Sequence, residues 1–364
     1  MRCIALNEKQ NSPVLSISMI RLFTILLFFF CIALSAQKSD FKHIDFGKAD
    51  SIAKSCSEMT LKNMPLLVHQ LTNNLNTQVE QFRAIHTWVC YNIESDHYFS
   101  EATLKKRRKL LNNKSALQKW NTKQQTKVFK RLVRDKKTIC SGYAYVLKAL
   151  TNLADIECEI VDGYARTVRT NVNTVDFPNH SWNVVKLNGK WYFADTTQAS
   201  GYYNLDDEAF VKNYNEGYFL ATPELFVKNH YPLDENWLLL DEKPTLKQFV
   251  EAPIIYGNTY KYDIIPIFPT TLVTTLNIGE TVMFKFKISN KAALKDVNFV
   301  FSGGLRNKVM SFKGKNYKHN ILQMAYQFHK KGEFDVHAKI DEDIIASYTI
   351  IVKNAEKMPN GTFN

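Results

Sequence analysis

The sequence predicts an α+β fold, with N-terminal helices packed on an antiparallel sheet and a C-terminal β-sandwich of immunoglobulin-like type behind them. Three observations carry this. Apolar residues recur at helical spacing through "EQFRAIHTWVCYNI" (Phe82, Ile85, Val89, Ile93) and again from Thr138 to Ala154. The period then drops to two in "IECEIVDGYART" and "HSWNVVKLNGKWYFADTT". Beyond Pro253 helical signals stop, and "ETVMFKFKIS", "DVNFVFSGG", "MAYQFHKKGEFDVHAKI" and "IIASYTIIVKN" alternate as strands between turn residues. A chain of 364 residues has room for two cores, and 45% hydrophobic against 23% charged residues is the composition of a soluble globular protein.

At the N-terminus, "MIRLFTILLFFFCIALSAQ" (Met19 to Gln37) sets Arg21 before an apolar run that ends in small residues. This is the order of a secretory signal, too short to span a bilayer comfortably, with cleavage expected near Ser35 or Ala36. A membrane anchor is the alternative. Residues 1–18 lack signal character, so Met19 is a candidate start. The expected division is 1–36 signal, 37–253 α+β domain, 254–354 sandwich and 355–364 tail, with the mature chain extracytoplasmic (secreted or periplasmic) and touching a membrane only through the signal. Loss of residues 1–36 removes Arg2, Lys9, Arg21 and Glu8 and lowers the net charge from +12 to +10.

Much of that charge lies between Lys105 and Lys137, in a stretch that continues helically. In an exported chain this segment fits an acidic surface or polymer, or merely a solvated helical face; nucleic acid is not an expected partner. Of the six cysteines, Cys56, Cys90, Cys140 and Cys158 remain after cleavage, without the spacing of a zinc site or the density of a disulfide framework. One disulfide among Cys56, Cys90 and Cys158 stays open. Residues 202–250 read as irregular, anchored by Tyr218, Phe219 and Trp237.

Cys140 opens "CSGYAYVLKAL", where a helix N-terminus lowers a thiol pKa because unsatisfied N–H groups and the helix dipole favour the thiolate. A buried structural cysteine would look similar in isolation. The hairpin adds a second observation. With Asn188-Gly189 as a two-residue turn, Leu187 faces Lys190, His180 faces Thr197 and Trp182 faces Asp195. His180 and Asp195 are then diagonal neighbours on one sheet face, where a carboxylate can orient an imidazole toward a cysteine proton. Polar residues that only satisfy one another are the plainer reading of that hairpin. No glycine-rich phosphate loop, histidine–carboxylate metal spacing or calcium loop is present, so no cofactor is expected.

These motifs in this order resemble the transglutaminase-like (papain-like thiol) superfamily core. "EQFRAIHTWVCYNIESD" and "YFLATPELFVKNHYPLDENWLLL" resemble its kyphoscoliosis-peptidase-like branch, over roughly Asp45 to Pro253. The resemblance implies Cys140 as nucleophile, His180 as general base and acid, and Asp195 as the residue that orients His180. It implies packing and support from Trp182 and Asn183, and a structural Tyr143. Gln198 departs from the family, which usually has Trp after the aspartate run. The implied activity is a thiol enzyme acting on amide or peptide bonds of a protein or peptide substrate, with hydrolysis slightly favoured over acyl transfer. A catalytically inactive binding or scaffold module is the alternative.

Overall fold

The computed structural model describes residues 38–168, 170–171, 174–175, 177–288, 297–302, 307–309 and 315–354. The expected signal with Met19, Arg21, Ser35 and Ala36, and the tail 355–364, lie outside them. Among the described residues no helix is long and apolar enough to cross a membrane.

Helices α1 (Gly47–Ser55), α2 (Met64–Thr72) and α3 (Gln78–Asn92) build the first layer. A capping box starts α3: Thr77 accepts from the Glu80 N–H, and Glu80 accepts from the Thr77 N–H. Phe82, Ile85, Trp88 and Val89 are fully buried, so α3 is a core helix rather than a surface one. Its one buried cation, Arg83, is forked onto Asp50 at 2.7 and 2.9 Å and lies over the Phe219 ring at 4.9 Å. Those pairings offset the cost of burying a guanidinium.

The basic segment folds as α4 (His97–Leu110) and α5 (Lys114–Asp135). Its two ends are clipped together by a short parallel pair, β1 (Glu94–Ser95) with β2 (Lys137–Thr138). The excursion therefore returns to the point it left, and delivers Ile139 and Cys140 to the start of α6 (Cys140–Asn152).

The central sheet contains β3 (Cys158–Ala165), β4 (His180–Leu187) and β5 (Lys190–Ala194). Asn188 and Gly189 both have positive φ, 51° and 79°, as a type I′ hairpin turn demands. The expected register holds from Leu187–Lys190 to Asn183–Ala194. It stops there, so the expected His180–Thr197 and Trp182–Asp195 pairings do not form. Asp195 instead caps a new helix, α7 (Thr196–Ser200), by accepting from the Gln198 N–H. After a small hairpin, β6 (Gly201–Asn204) with β7 (Ala209–Lys212), the chain adds β8 (Phe219–Ala221), α8 (Pro223–Phe226) and β9 (His230–Pro232). The strand order is β8-β5-β4-β3-β9. The stretch 202–250 is thus not irregular: it supplies both edge strands, each three residues long and too short to show alternation.

Following α9 (Leu246–Glu251) come β10 (Ile254–Ile255) and α10 (Gly257–Lys261), then β11 (Ile264–Phe268), β12 (Val273–Asn277), β13 (Thr281–Ile288), β14 (Val297–Ser302) and β15 (Asn307–Val309). The chain continues with β16 (Lys315–Lys318), β17 (Ile321–Gln327), β18 (Gly332–Ile340) and β19 (Asp343–Lys353). They form two sheets, β10-β19-β18-β14-β15 with β12 beside β19, and β11-β13-β17-β16. Phe284, Phe286, Leu322 and Met324 of one sheet share a core with Val336, Ala338, Tyr348 and Ile350 of the other. The contact with the first half is largely apolar: Ile255, Tyr260 and Ile265 share a core with Trp182, Phe193 and Phe226, and Tyr260 stacks on Tyr218 at 4.1 Å. Lys287 adds an ion pair to Glu224 at 2.5 Å.

Candidate active site

Cys140 is the first residue of α6; its N-cap, Ile139, has extended backbone and offers no capping side chain. The helix-end N–H groups are therefore not taken by a cap, and the dipole points at the sulfur. Burial alone would push this thiol up. The His180 hydrogen bond and charge, the Arg107 charge and the Ser181 N–H outweigh it and hold Cys140 below the ordinary thiol range. Gly142 makes the position possible. A Cβ there would lie 1.8 Å from Thr138 Oγ1 and 2.9 Å from Val128 Cγ1, so α6 meets β2 and α5 at backbone distance. Gly142→Ala is expected to cost about 1–3 kcal/mol and to shift Cys140. A melt and an alkylation rate measured together check it; wild-type values for both would refute the tight-contact account.

His180 opens β4 and is nearly buried. Its Nε2 lies 2.7 Å from Asp195 Oδ2, so Nδ1 is the ring nitrogen left for the thiol. Burial disfavours the imidazolium, but the Asp195 carboxylate and Cys140 outweigh it and raise the His180 pKa well above the usual range. Asp195 is fully buried. Burial would raise it, yet the His180 charge and hydrogen bond, with the His230 hydrogen bond and charge, keep it ionised far below the ordinary carboxylate range, while Oδ1 accepts from the Gln198 N–H. The structure thus pairs His180 with Asp195 directly, and His180 is among the groups that act on Cys140. The hairpin places two of them, and the β1–β2 clip with α6 places the third.

Supporting residues act as expected from the resemblance. Asn183 donates to the Ala144 and Glu159 carbonyls at 2.9 and 3.2 Å and pins α6 to the sheet. Tyr143 is buried and donates to the Ile93 carbonyl at 2.8 Å. Gln198 enters through its backbone, not its side chain.

One residue escaped the sequence reading. His230, on β9, lies with Nε2 3.0 Å from Asp195 Oδ2. Only the "NHYP" segment in the resemblance pointed near it. His180, Asp195 and His230 offer possible metal-ligand atoms within 4.8 Å of one another. Both ring nitrogens, however, already face one carboxylate oxygen at hydrogen-bond distance, an arrangement that fits N–H donors better than a bare ion between them.

The other thiols behave differently. Cys56, Cys90 and Cys158 are all free and buried, which removes the disulfide left open above. Cys90 even has its own histidine, His86 Nδ1 at 3.8 Å on the same helix face. There, burial pushes the thiol far up, while burial and Arg83 push the imidazole down to about 3, so neither ionises. Burial raises Cys158 to about 12. What separates Cys140 from them is a helix end and a carboxylate behind its histidine.

A cleft of about 480 Å³ is lined by Ser141, Gly142 and Ser181, the neighbours of Cys140 and His180 in the chain, and by Tyr145, Arg107 and Asp162. Its outer wall is the basic hairpin. Residues 97–137 hold ten lysines and four arginines against Glu101 and Asp135, a net of twelve positive charges, equal to the +12 of the whole chain. All of the chain's net charge therefore sits on the α4–α5 wall and its β2 exit.

Residues 66–196 match the family model of the transglutaminase-like superfamily. Kyphoscoliosis peptidase of Mus musculus is 27% identical over 308 residues, which cover 82% of this chain and 43% of that protein. The Homo sapiens protein of the same name is 27% identical over 310 residues, with the same coverage. Hillarin of Drosophila melanogaster is 26% identical over 234 residues, 60% of this chain and 26% of that one. The chain spans under half the length of these relatives. Residues 66–196 thus match a transglutaminase-like domain, and the chain is similar over most of its length to kyphoscoliosis peptidase.

Proposed function

We propose that the protein is a thiol enzyme acting on amide bonds through Cys140, His180 and Asp195, with hydrolysis favoured over transfer. The observation that supports this most is the contrast among its own cysteines: Cys140 is lowered by an imidazole backed by a buried carboxylate, whereas Cys90 and Cys158 are raised by burial. In this reading the Cys140 thiolate attacks the carbonyl carbon and the carbonyl electrons move to oxygen. The Cys140 N–H and a neighbouring donor at the α6 N-terminus hold that oxyanion. Collapse breaks the C–N bond, and the departing amine takes the proton from His180 Nδ1. Water, or an acceptor amine, then attacks the thioester as His180 Nδ1 takes its proton, and the C–S bond breaks to restore the thiolate. Asp195 holds Nε2 throughout and keeps its own charge.

The basic wall extends the reading to partners: substrates with acidic residues beside the scissile bond, or on an acidic surface, are drawn into the cleft. The immunoglobulin-like reading of the two C-terminal sheets, as a separate binding or packing unit, belongs to the same proposal.

Peptide probes with an electrophilic carbonyl test both parts. A probe with acidic flanks should modify Cys140 faster than its basic-flank counterpart, and the advantage should shrink between low and ~0.5 M salt as screening lengths fall below ~10 Å. Cys140→Ala should abolish labelling. A folded protein that binds acidic peptides but leaves every probe unreacted would instead support a binding module.

A further inference from the structure

The proposed reaction needs one imidazole on Asp195, yet the carboxylate holds two. His230 Nε2 shares Oδ2 with His180 Nε2, at 3.0 and 2.7 Å. The His230 ring is clamped: its face stacks on Phe226 at 3.9 Å and 12° between planes, and Trp182 meets it edge-on at 5.2 Å. Its second nitrogen, Nδ1, lies 2.7 Å from Asn229 Oδ1, the atom to which the Tyr260 hydroxyl also donates. Tyr260 belongs to α10, and the neighbouring Thr259 is bonded to the Ile345 carbonyl of β19.

We propose that His230 is a positioning residue: a neutral imidazole that donates Nε2–H to Asp195, holds the carboxylate toward His180, and is itself held by Asn229 and Tyr260. This rests on the thiol-enzyme reading above. The shared oxygen favours the neutral form. The Cys140 thiolate and His180 imidazolium form one pair, and Asp195 is what keeps His180 cationic. A second cation on Asp195 would compete with His180 for the same oxygen and weaken that hold. The groups facing His230 oppose a charge there: His180 from β4 is cationic, Tyr218 and Tyr260 are neutral phenols, and Trp182 and Phe226 are apolar. Burial and the His180 charge outweigh the Asp195 carboxylate and the Phe226 backbone carbonyl, which favour a charged ring, so the His230 pKa falls below the usual range.

The neutral form also settles the amide. A ring that donates through Nε2 accepts at Nδ1, so the proposal also requires the Asn229 amide turned about, with its NH2 group where Oδ1 lies in the structure. The second hydrogen of that NH2 then meets Tyr260 Oη. The carboxylate has few other ways to settle, because Oδ1 is occupied by the Gln198 N–H. Without His230, Oδ2 would face the Phe226 and Trp182 rings and could swing away from His180.

Imidazole 15N NMR of the wild-type protein reads His230 directly. A neutral ring protonated at Nε2 is expected at pH 8; a cationic ring there, or one protonated at Nδ1, would overturn the proposal. His230→Phe, which keeps the stack and removes the donor, should slow probe turnover at saturation on the order of tenfold to a hundredfold, with probe affinity unchanged. The pH midpoint for Cys140 alkylation should rise by about one unit. His230→Gln, an uncharged donor of similar reach, should restore most of both. Wild-type rate and midpoint in His230→Phe, or equal defects in Phe and Gln, would show that the ring merely fills space. If the Phe variant does not fold, the Gln variant and the NMR decide. A wild-type Cys140 inert to every probe would strike the thiol-enzyme reading instead, and the NMR would still report on His230.

Discussion

Iodoacetamide at pH 6 is expected to alkylate Cys140 well ahead of Cys56, Cys90 and Cys158. Cys140 is held below the usual thiol range by His180 and Arg107 against its own burial, while burial raises Cys90 and Cys158 and shields all three others. The sign follows from the pair. The thiolate persists as pH falls until the lowered Cys140 pKa is crossed, and the imidazolium persists as pH rises until the raised His180 pKa is crossed. Labelling should therefore plateau between those limits, across a window reaching below the free-thiol value of ~8.5 and above the free-imidazole value of ~6.5. An ordinary thiol is roughly 0.3% ionised at pH 6, and lower-pKa thiolates are weaker nucleophiles. Together these put the His180→Ala loss on the order of 10- to 100-fold. Asp195→Ala should cost less at the thiol, since Asp195 touches only the far side of His180. Equal labelling of all four thiols, or indifference to His180→Ala, would remove the catalytic reading.

Gly163→Ala should be strongly damaging for a single methyl. Gly163 lies in β3 between His180 of β4 and Pro232 of β9. A Cβ there would sit 2.2 Å from the Tyr231 carbonyl oxygen, 2.6 Å from Trp182 Cη2 and 2.9 Å from Pro232 Cα. Two of these are backbone atoms, so no side-chain rotation relieves the overlap, and β9 must move. His230 moves with it and leaves Asp195. A loss of about 3 kcal/mol is expected, read as a lower urea midpoint, together with slower Cys140 alkylation at pH 6. Unchanged midpoint and rate would mean that the β3–β9 contact does not set the site.

How much was legible in the sequence depends on whether the deciding interaction is local. The type I′ turn is local: Asn188 and Gly189 tolerate positive φ, and the register from Leu187–Lys190 to Asn183–Ala194 follows from them. The start of α6 at Cys140 is local too, since extended Ile139 precedes an apolar stripe at helical spacing. Those two features, with the motif order, were enough to nominate Cys140, His180 and Asp195. The diagonal geometry was right in outcome and incomplete in cause: Asp195 reaches His180 from a helix cap, after the ladder has ended.

What the tertiary structure alone decided is long-range. Strands of three residues, β8 and β9, carry no readable period, and they are stable because they dock on a sheet already built by the hairpin. His230 therefore lay hidden in a stretch without visible pattern, 35 residues from the carboxylate it shares. The α4–α5 excursion had a readable charge, but not a position. The β1–β2 clip turned it into the wall of a cleft lined also by Ser141 and Gly142. Sequence by itself determined which side chains could react and which helix end and turn would present them. Their ionisation was decided by burial and by partners distant in the chain, because a carboxylate holds a proton on a buried imidazole only once the fold has removed water from both.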